Sequence, residues 1–416
     1  MNGTGKNREG DGVVMQKAVV FGAGAVGRGF IGQLLSEAGW FVTFLDVQPD
    51  LVKHLAMEGS YPHVTVTNDD SERTLIRPVT AIDARDTGAA CAALLEADLA
   101  VSCVGARVLP AVADTLATAV SSRIAAGLAP LDVLLAENLH GASTVMRGLL
   151  SDRLPDLGSD ELDAAVGLME TSIGRMIPAP DPSRVGSDLT AVFVEPYKML
   201  PYDDTARRGA LIDVPGLVAD TSVPFAFYGD RKLYVHNLGH CMTAYLGEVA
   251  GATTIAEAIA IPAVRYFVRS AMVESAVALA STYSVSLVDL LAHVDDLLHR
   301  FGNRALGDTV ARVGREPLRK LAAHDRLLGA LDLAAAYGLP GHHLSLAVAA
   351  GAHRVLRTEG WDEHQLWSHL EVSLADSVLE PRRQLLASQI DALKRGFDYN
   401  AQIALIEKAY EPSHIV

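Results

Sequence analysis

Lys17-Ala-Val-Val-Phe21 followed at once by Gly22-Ala-Gly24-Ala-Val-Gly27-Arg-Gly29 is the stretch that decides the fold. The first five residues have the apolar, β-branched character of a short strand, and the glycine-rich turn follows with nothing between. Helical periodicity then carries Phe30, Ile31, Leu34, Leu35 and Ala38 to a stop at Gly39, before a second predicted strand, Phe41-Val-Thr-Phe-Leu45, that ends on Asp46. A lone GxGxxG says little. Strand, turn, helix, strand and terminal acid in this order make a dinucleotide-binding βαβ unit.

Each part has a mechanical reason. Gly22 permits the tight turn, Gly24 lets a pyrophosphate approach the backbone, and Gly27 lets helix and strand pack closely. Ala25 and Val26 open the helix, whose first amides face the phosphates. Asp46 would accept hydrogen bonds from both adenosine ribose hydroxyls and repel a 2′-phosphate, so the expected cofactor is NAD and not NADP. Further strand-like runs at Val64-Thr-Val66, Leu99-Ala-Val-Ser-Cys-Val104 and Val133-Leu-Leu-Ala136 alternate with alanine-rich helical stretches, continuing a doubly wound parallel sheet. Val104-Gly105 and Glu137-Asn138 then fall just past strand ends, where open α/β sheets bind ligands. Asn138 is placed to reach a nicotinamide or a reacting carbon, although a turn or cap asparagine fits the same pattern.

The whole chain sets limits on function. Its 416 residues suffice for two domains, and 50% hydrophobic with 20% charged residues is an ordinary soluble composition. A formal charge of −15 argues against nucleic acid or an anionic membrane surface as partner, so an anionic small molecule would need a local basic pocket. Three scattered cysteines, Cys91, Cys103 and Cys241, suit a reducing compartment. Residues 1–16 are polar and read as a disordered leader, not a secretory signal. With no membrane-length apolar run, the expected location is the cytoplasm.

Beyond a short strand at Thr190-Ala-Val-Phe-Val194 and a Pro- and Gly-rich stretch to Pro224, the pattern turns to long helices, broken at Gly338-Leu-Pro-Gly341. The expected division is therefore a Rossmann-type domain over 17–188 and a mostly α-helical domain over 189–416. Within the latter, Arg231-Lys-Leu-Tyr-Val-His-Asn-Leu-Gly-His240 places a lysine, an amide and an imidazole at offsets that a helix would gather within one arc. Beside Leu233, Val235 and Leu238 the Lys232 ammonium would be desolvated and its pKa lowered, ready to take a proton from an alcohol while Asn237 donates to the alkoxide. Taken alone, the same stretch also reads as an amphipathic helix start. His236 and His240 lack the glutamate of an HExxH pattern, and no metal is expected. Tyr228-x3-Lys232 satisfies a short-chain dehydrogenase pattern, but Pro215 stands where its serine would fall.

Gly22 to Gly32 joined to Lys232-x4-Asn237-x2-His240 resembles the polyol-specific long-chain dehydrogenases, and Ala136-Glu-Asn138, Val313-Gly-Arg-Glu-Pro-Leu-Arg-Lys-Leu321 and Asp325-Arg-Leu extend the likeness from about Lys17 to Ala350. The resemblance implies metal-independent hydride transfer by a monomer, with Lys232 as base, Asn237 and Asn138 as alkoxide donors and His240 orienting the substrate. It also gives Arg315, Arg319 and Lys320 a purpose: Arg315 and Arg319, four apart, would share a helix face and cradle the phosphate of a sugar or polyol phosphate. One departure is Ile173-Gly174-Arg175, where an Asp-Arg pair is expected.

Overall fold

Residues 15–178 and 190–410 are described by the computed structural model of the chain. Its strands are β1 (Lys17–Phe21), β2 (Phe41–Asp46), β3 (Tyr61–Val66), β4 (Ser71–Ile76), β5 (Val79–Asp83), β6 (Leu99–Ser102), β7 (Leu131–Leu135), β8 (Val166–Glu170), β9 (Val192–Val194), β10 (Leu200–Pro201) and β11 (Leu217–Val218). Among the described residues, six of these form one sheet in the order β5-β2-β1-β6-β7-β8, parallel at every pairing. The order reverses between β1 and β6, and the crevice beyond their carboxyl ends is the ligand position of such a sheet.

Alternation within the strands buries both faces. Ala18, Val20, Val42, Phe44, Leu99 and Val101 join Phe30, Leu34 and Leu35 on one side, while Val19, Phe21, Leu45, Ala100, Val133 and Leu135 face the helix Leu109–Ala125 on the other. Each large side chain so buried contributes about 1.5–3 kcal/mol. This side of the fold follows the sequence expectation.

Val64-Thr-Val66 departs from it. These residues lie in β3, which pairs antiparallel with β4 and parallel with β9 in a separate small sheet. Thr67 donates its N–H to the Asp70 carbonyl at 2.9 Å and closes a tight turn, and a turn that short permits only a hairpin, since a parallel return needs a crossover. The place expected for it in the main sheet belongs to β5. The division at 188/189 lies outside the described residues, but Val192, Leu200, Tyr202 and Val214 bury in the same core as Phe44 and Leu34, so the chain from Thr190 to Val218 packs with the N-terminal sheet.

From Ala226 onward the structure is helical. The helix Pro262–Tyr283 is central and packs against Leu238–Val249, Leu287–Phe301 and His342–Thr358. Gly338 and Gly341, with φ of 68° and 65°, take the left-handed conformation between the helices Leu328–Ala336 and His342–Thr358, which explains the break at that point. Among the described residues no helix is long and apolar enough to cross a membrane.

Candidate active site

Gly22, at φ 93°, ends β1, and a Cβ there would stand 3.0 Å from the Cys103 carbonyl oxygen at the end of β6. At Gly27 a Cβ would fall 2.0 Å from the Gly22 carbonyl oxygen, so helix and turn touch without room for a methyl group. Gly24 is different: a Cβ would meet no protein atom within 4 Å, and Gly24 and Ala25 are exposed while Val26 is half-buried. The space above Gly24 is thus free to receive a pyrophosphate, which is the fit a dinucleotide requires. Asp46 accepts the Ala23 N–H on Oδ2 at 2.7 Å and the Gln48 N–H on Oδ1 at 3.0 Å, fixing its carboxylate at the carboxyl end of β2 with lone pairs left for a ribose diol.

Glu137 organises the neighbouring loop. Buried at 4% exposure, it accepts from Ser102 Oγ at 2.6 Å, from the Val104 N–H at 3.0 Å and from the Gly105 N–H at 2.7 Å. The sequence placed it at a strand end without a role. Its carboxylate ties the ends of β6 and β7 together and so fixes Asn138.

The segment holding the candidate base is a π-helix. Lys232–Asn237 has i→i+5 bonding, with the Leu238 N–H reaching the Leu233 carbonyl, before an α-helix resumes over Leu238–Val249. This matters because an α-helix would turn residues five apart by about 140°, whereas i→i+5 winding brings Lys232 and Asn237 to within about 50° of each other. Asn237 and His240, three apart, then share a face in the usual way. This corrects the expectation that an ordinary helix gathers Lys232 and Asn237 within one arc, since it is the π-turn that brings the pair closer.

Lys232 Nζ donates to Asn138 Oδ1 at 3.0 Å, joining the two halves of the fold at one point. The side chain keeps some surface but has protein on most sides. Burial, with the Arg326 guanidinium second, lowers its ammonium from 10.5 to about 8. Arg326 is itself anchored by Asp325, Nε to Oδ1 at 2.8 Å. The Asn237 carboxamide makes no hydrogen bond to another described residue and remains available. His240 stacks on Phe301, ring centroids 5.1 Å apart, and its Nε2 stands 3.1 Å from Asp308 Oδ2. Burial pushes the Asp308 carboxyl up, but the imidazole and the Arg312 guanidinium outweigh it and hold the group below its ordinary value.

The structure does not place Arg315 and Arg319 on one helix face, as their spacing led one to expect. Glu316 adopts φ 54°, so the helix begins only at Pro317 and Arg315 lies before it, donating to the Arg312 carbonyl at 3.2 Å. Arg319 pairs with Glu316 at 3.1 Å and Asp325 at 3.6 Å. Lys320 is buried, donates to the Val313 carbonyl and is lowered to about 8 by burial. Its charge is spent inside the protein. Among the described residues no three His, Cys, Asp or Glu side chains are grouped to hold a metal ion. Tyr228 donates to Asp220 Oδ2 at 2.6 Å, and burial together with that carboxylate pushes the phenol up to about 12, the opposite of what a phenolate base requires.

Residues 16–215 match the mannitol dehydrogenase Rossmann domain and residues 225–366 the mannitol dehydrogenase C-terminal domain. The chain belongs to the mannitol dehydrogenase family. It is a polyol dehydrogenase with a dinucleotide-binding half and a helical half. Among solved structures, it is similar to Pseudomonas fluorescens mannitol 2-dehydrogenase in ternary complex with NAD and D-mannitol, at 18% identity and a TM-score of 0.64, over 96% of this chain and 92% of that one. A D-sorbitol dehydrogenase in substrate-free form aligns at 14% identity with a TM-score of 0.75, over 94% and 95% of the two chains. At these identities the likeness concerns the fold.

Of two buried arginines, Arg300 bonds across the halves of this family member, and Arg175 ties its partner Glu195 to the first helix of the N-terminal half. Arg300, on the helix Leu287–Phe301, forms a fork with Glu195, Nε to Oε2 at 2.9 Å and Nη2 to Oε1 at 2.5 Å, and donates to the Gly174 carbonyl at 2.5 Å. Arg175 bonds the Glu195 carbonyl at 2.6 Å, Gln33 Oε1 at 2.6 Å and the Gly29 carbonyl at 3.0 Å. Gly174 is filled in by a neighbour: a Cβ there would stand 3.3 Å from the Tyr197 ring.

Proposed function

We propose that the chain interconverts mannitol 1-phosphate and fructose 6-phosphate with NAD as cofactor and Lys232 as general base. The observation that carries the reaction type is the Lys232–Asn138 contact at 3.0 Å, made by an ammonium lowered to about 8 and flanked by Asn237 and His240. In the oxidative direction neutral Lys232 Nζ takes the hydroxyl proton of the reacting carbinol. Asn138 accepts from the lysine through Oδ1 and so turns its amide N–H groups toward the alkoxide, while Asn237 offers a second donor; each such donor is worth about 3 kcal/mol in the transition state. Bound NAD supplies the hydride acceptor. His240, held between Phe301 and Asp308, orients the polyol hydroxyls. Asp46 selects NAD through the ribose diol.

The phosphorylated substrate is supported by the likeness of Ala136-Glu-Asn138, Lys232 to Gly247 and Val313 to Leu321 to mannitol-1-phosphate 5-dehydrogenase, and by Arg231 and Arg326 beside Lys232 in a chain of formal charge −15. A second reading, an unphosphorylated hexitol such as mannitol or sorbitol, draws on the buried Lys320 and the ion-paired Arg319. NADH oxidation with fructose 6-phosphate and with fructose separates them. A much larger kcat/KM for the phosphate ester supports the first reading, and comparable values refute it.

A further inference from the structure

Arg231 precedes the catalytic lysine and is the last residue of the helix Ala226–Arg231. Its guanidinium lies over the rings of Tyr228, 5.0 Å from the centroid, and Phe227, 5.4 Å away, and makes no hydrogen bond or ion pair with any described residue. Other guanidinium groups withdrawn from solvent in this chain are bonded: Arg123 to four carbonyl oxygens, Arg382 to three, Arg175 and Arg300 as above. Burial lowers the Arg231 pKa, and no carboxylate offsets that effect. A desolvated, unpaired cation is costly, and it persists where a ligand supplies the missing charge.

Its surroundings hold free donors, and the two carboxylates near them, Glu195 and Asp296, are paired with Arg300. Tyr197 lies near enough to feel the charges of Arg231 and Arg300, its ring is 4.0 Å from the Arg300 guanidinium, and its hydroxyl bonds no described residue; burial raises the phenol, so it stays a neutral donor. His293, on the helix Leu287–Phe301, feels Arg231 and Arg300 and is lowered by burial to about 3, leaving a neutral imidazole. Arg300 is already committed to Glu195, and the nearest acid on its own helix, Asp296, pairs with Arg300 at 3.3 Å. Gly174 contributes no side chain beside Tyr197.

We infer that Arg231, Tyr197 and His293 form a subsite for the phosphate monoester of the substrate, one residue from the base, in place of the Arg315, Arg319 and Lys320 cluster. This rests on the phosphorylated-substrate reading above. A linear sugar phosphate reaching from Lys232 sets its ester on the Arg231 side, where the planar fork and the phenol grip the phosphate oxygens.

The test compares wild type, Arg231→Met and Tyr197→Phe in the reduction of fructose 6-phosphate and of fructose, with NADH binding as the check on folding. Losing charge-assisted bonds to the phosphate lowers the preference for the ester by roughly 10–100-fold in R231M, mainly through KM, and by a few-fold in Y197F. Inorganic phosphate competes with fructose in wild type and loses that effect in R231M. An unchanged preference and unchanged phosphate inhibition in R231M overturn the subsite; if R231M does not fold, an unchanged preference in Y197F does so. A wild type indifferent to the phosphate removes the substrate reading itself, a separate outcome.

Discussion

Replacing Arg326 by Gln tests how the base is tuned. Lys232 falls from 10.5 to about 8 through burial first and Arg326 second. At pH 7 a lysine at its ordinary value is neutral in about 0.03% of molecules, and one at about 8 in about 9%, a gain of roughly 300-fold in available base. As the second cause after burial, Arg326 supplies the smaller part of the drop, so R326Q raises the group and cuts the neutral fraction at pH 7 by several-fold, on the order of tenfold at most. The assay is kcat/KM for polyol phosphate oxidation from about pH 6 to about pH 10. Because the neutral amine is the base, wild-type oxidation rises through about pH 8 and ketose reduction, which needs the ammonium, falls through the same point; in R326Q both inflections move up. A wild-type inflection near 10, or one that R326Q leaves in place, refutes the reasoning.

Three further outcomes follow from the geometry. Asp46→Ala removes the acceptor of the ribose diol and the bond to the Ala23 N–H, so the ratio of kcat/KM for NADH over NADPH falls by about tenfold or more, and a wild type that prefers NADPH contradicts the assignment. Gly24→Val points into open space and leaves thermal stability intact while weakening dinucleotide affinity, whereas Gly27→Ala meets the Gly22 carbonyl and loses folded protein; equal effects in a melting and cofactor-titration pair speak against the cradle. Arg300→Met strands the buried Glu195 carboxylate and costs about 3–5 kcal/mol in urea unfolding, a value near zero showing that the fork does not hold the halves together.

The N-terminal half was legible because its signals are local. The apolar run, the turn and Asp46 sit within thirty residues of one another, and their order admits one arrangement. β8 was not, because Ala164-Ala165-Val166 passes from helix to strand with no loop between, and the glycine that follows, Gly167, already lies within the strand. Val64-Thr-Val66 was read as a strand but joined to the wrong sheet, since pairing partners lie outside the segment. In the site, Lys232, Asn237 and His240 could be named from spacing, yet the π-turn that brings Lys232 and Asn237 closer could not be seen in helical periodicity. Asp308, Arg326 and Glu195 reach their partners across many tens of residues, and only the fold brings them near. Arg315 and Arg319 do not share the expected helix face for a local reason: the left-handed backbone at Glu316, a non-glycine residue, carries no sequence mark.

The central claim is that Lys232 moves the proton. Lys232→Met keeps the apolar stem, and its steady-state kcat for fructose 6-phosphate reduction, measured beside the Kd for NADH, separates chemistry from binding. The account predicts a fall in kcat of about a hundredfold or more, the scale of losing a general acid–base group, with NADH affinity within a few-fold of wild type. Wild-type turnover in K232M contradicts it.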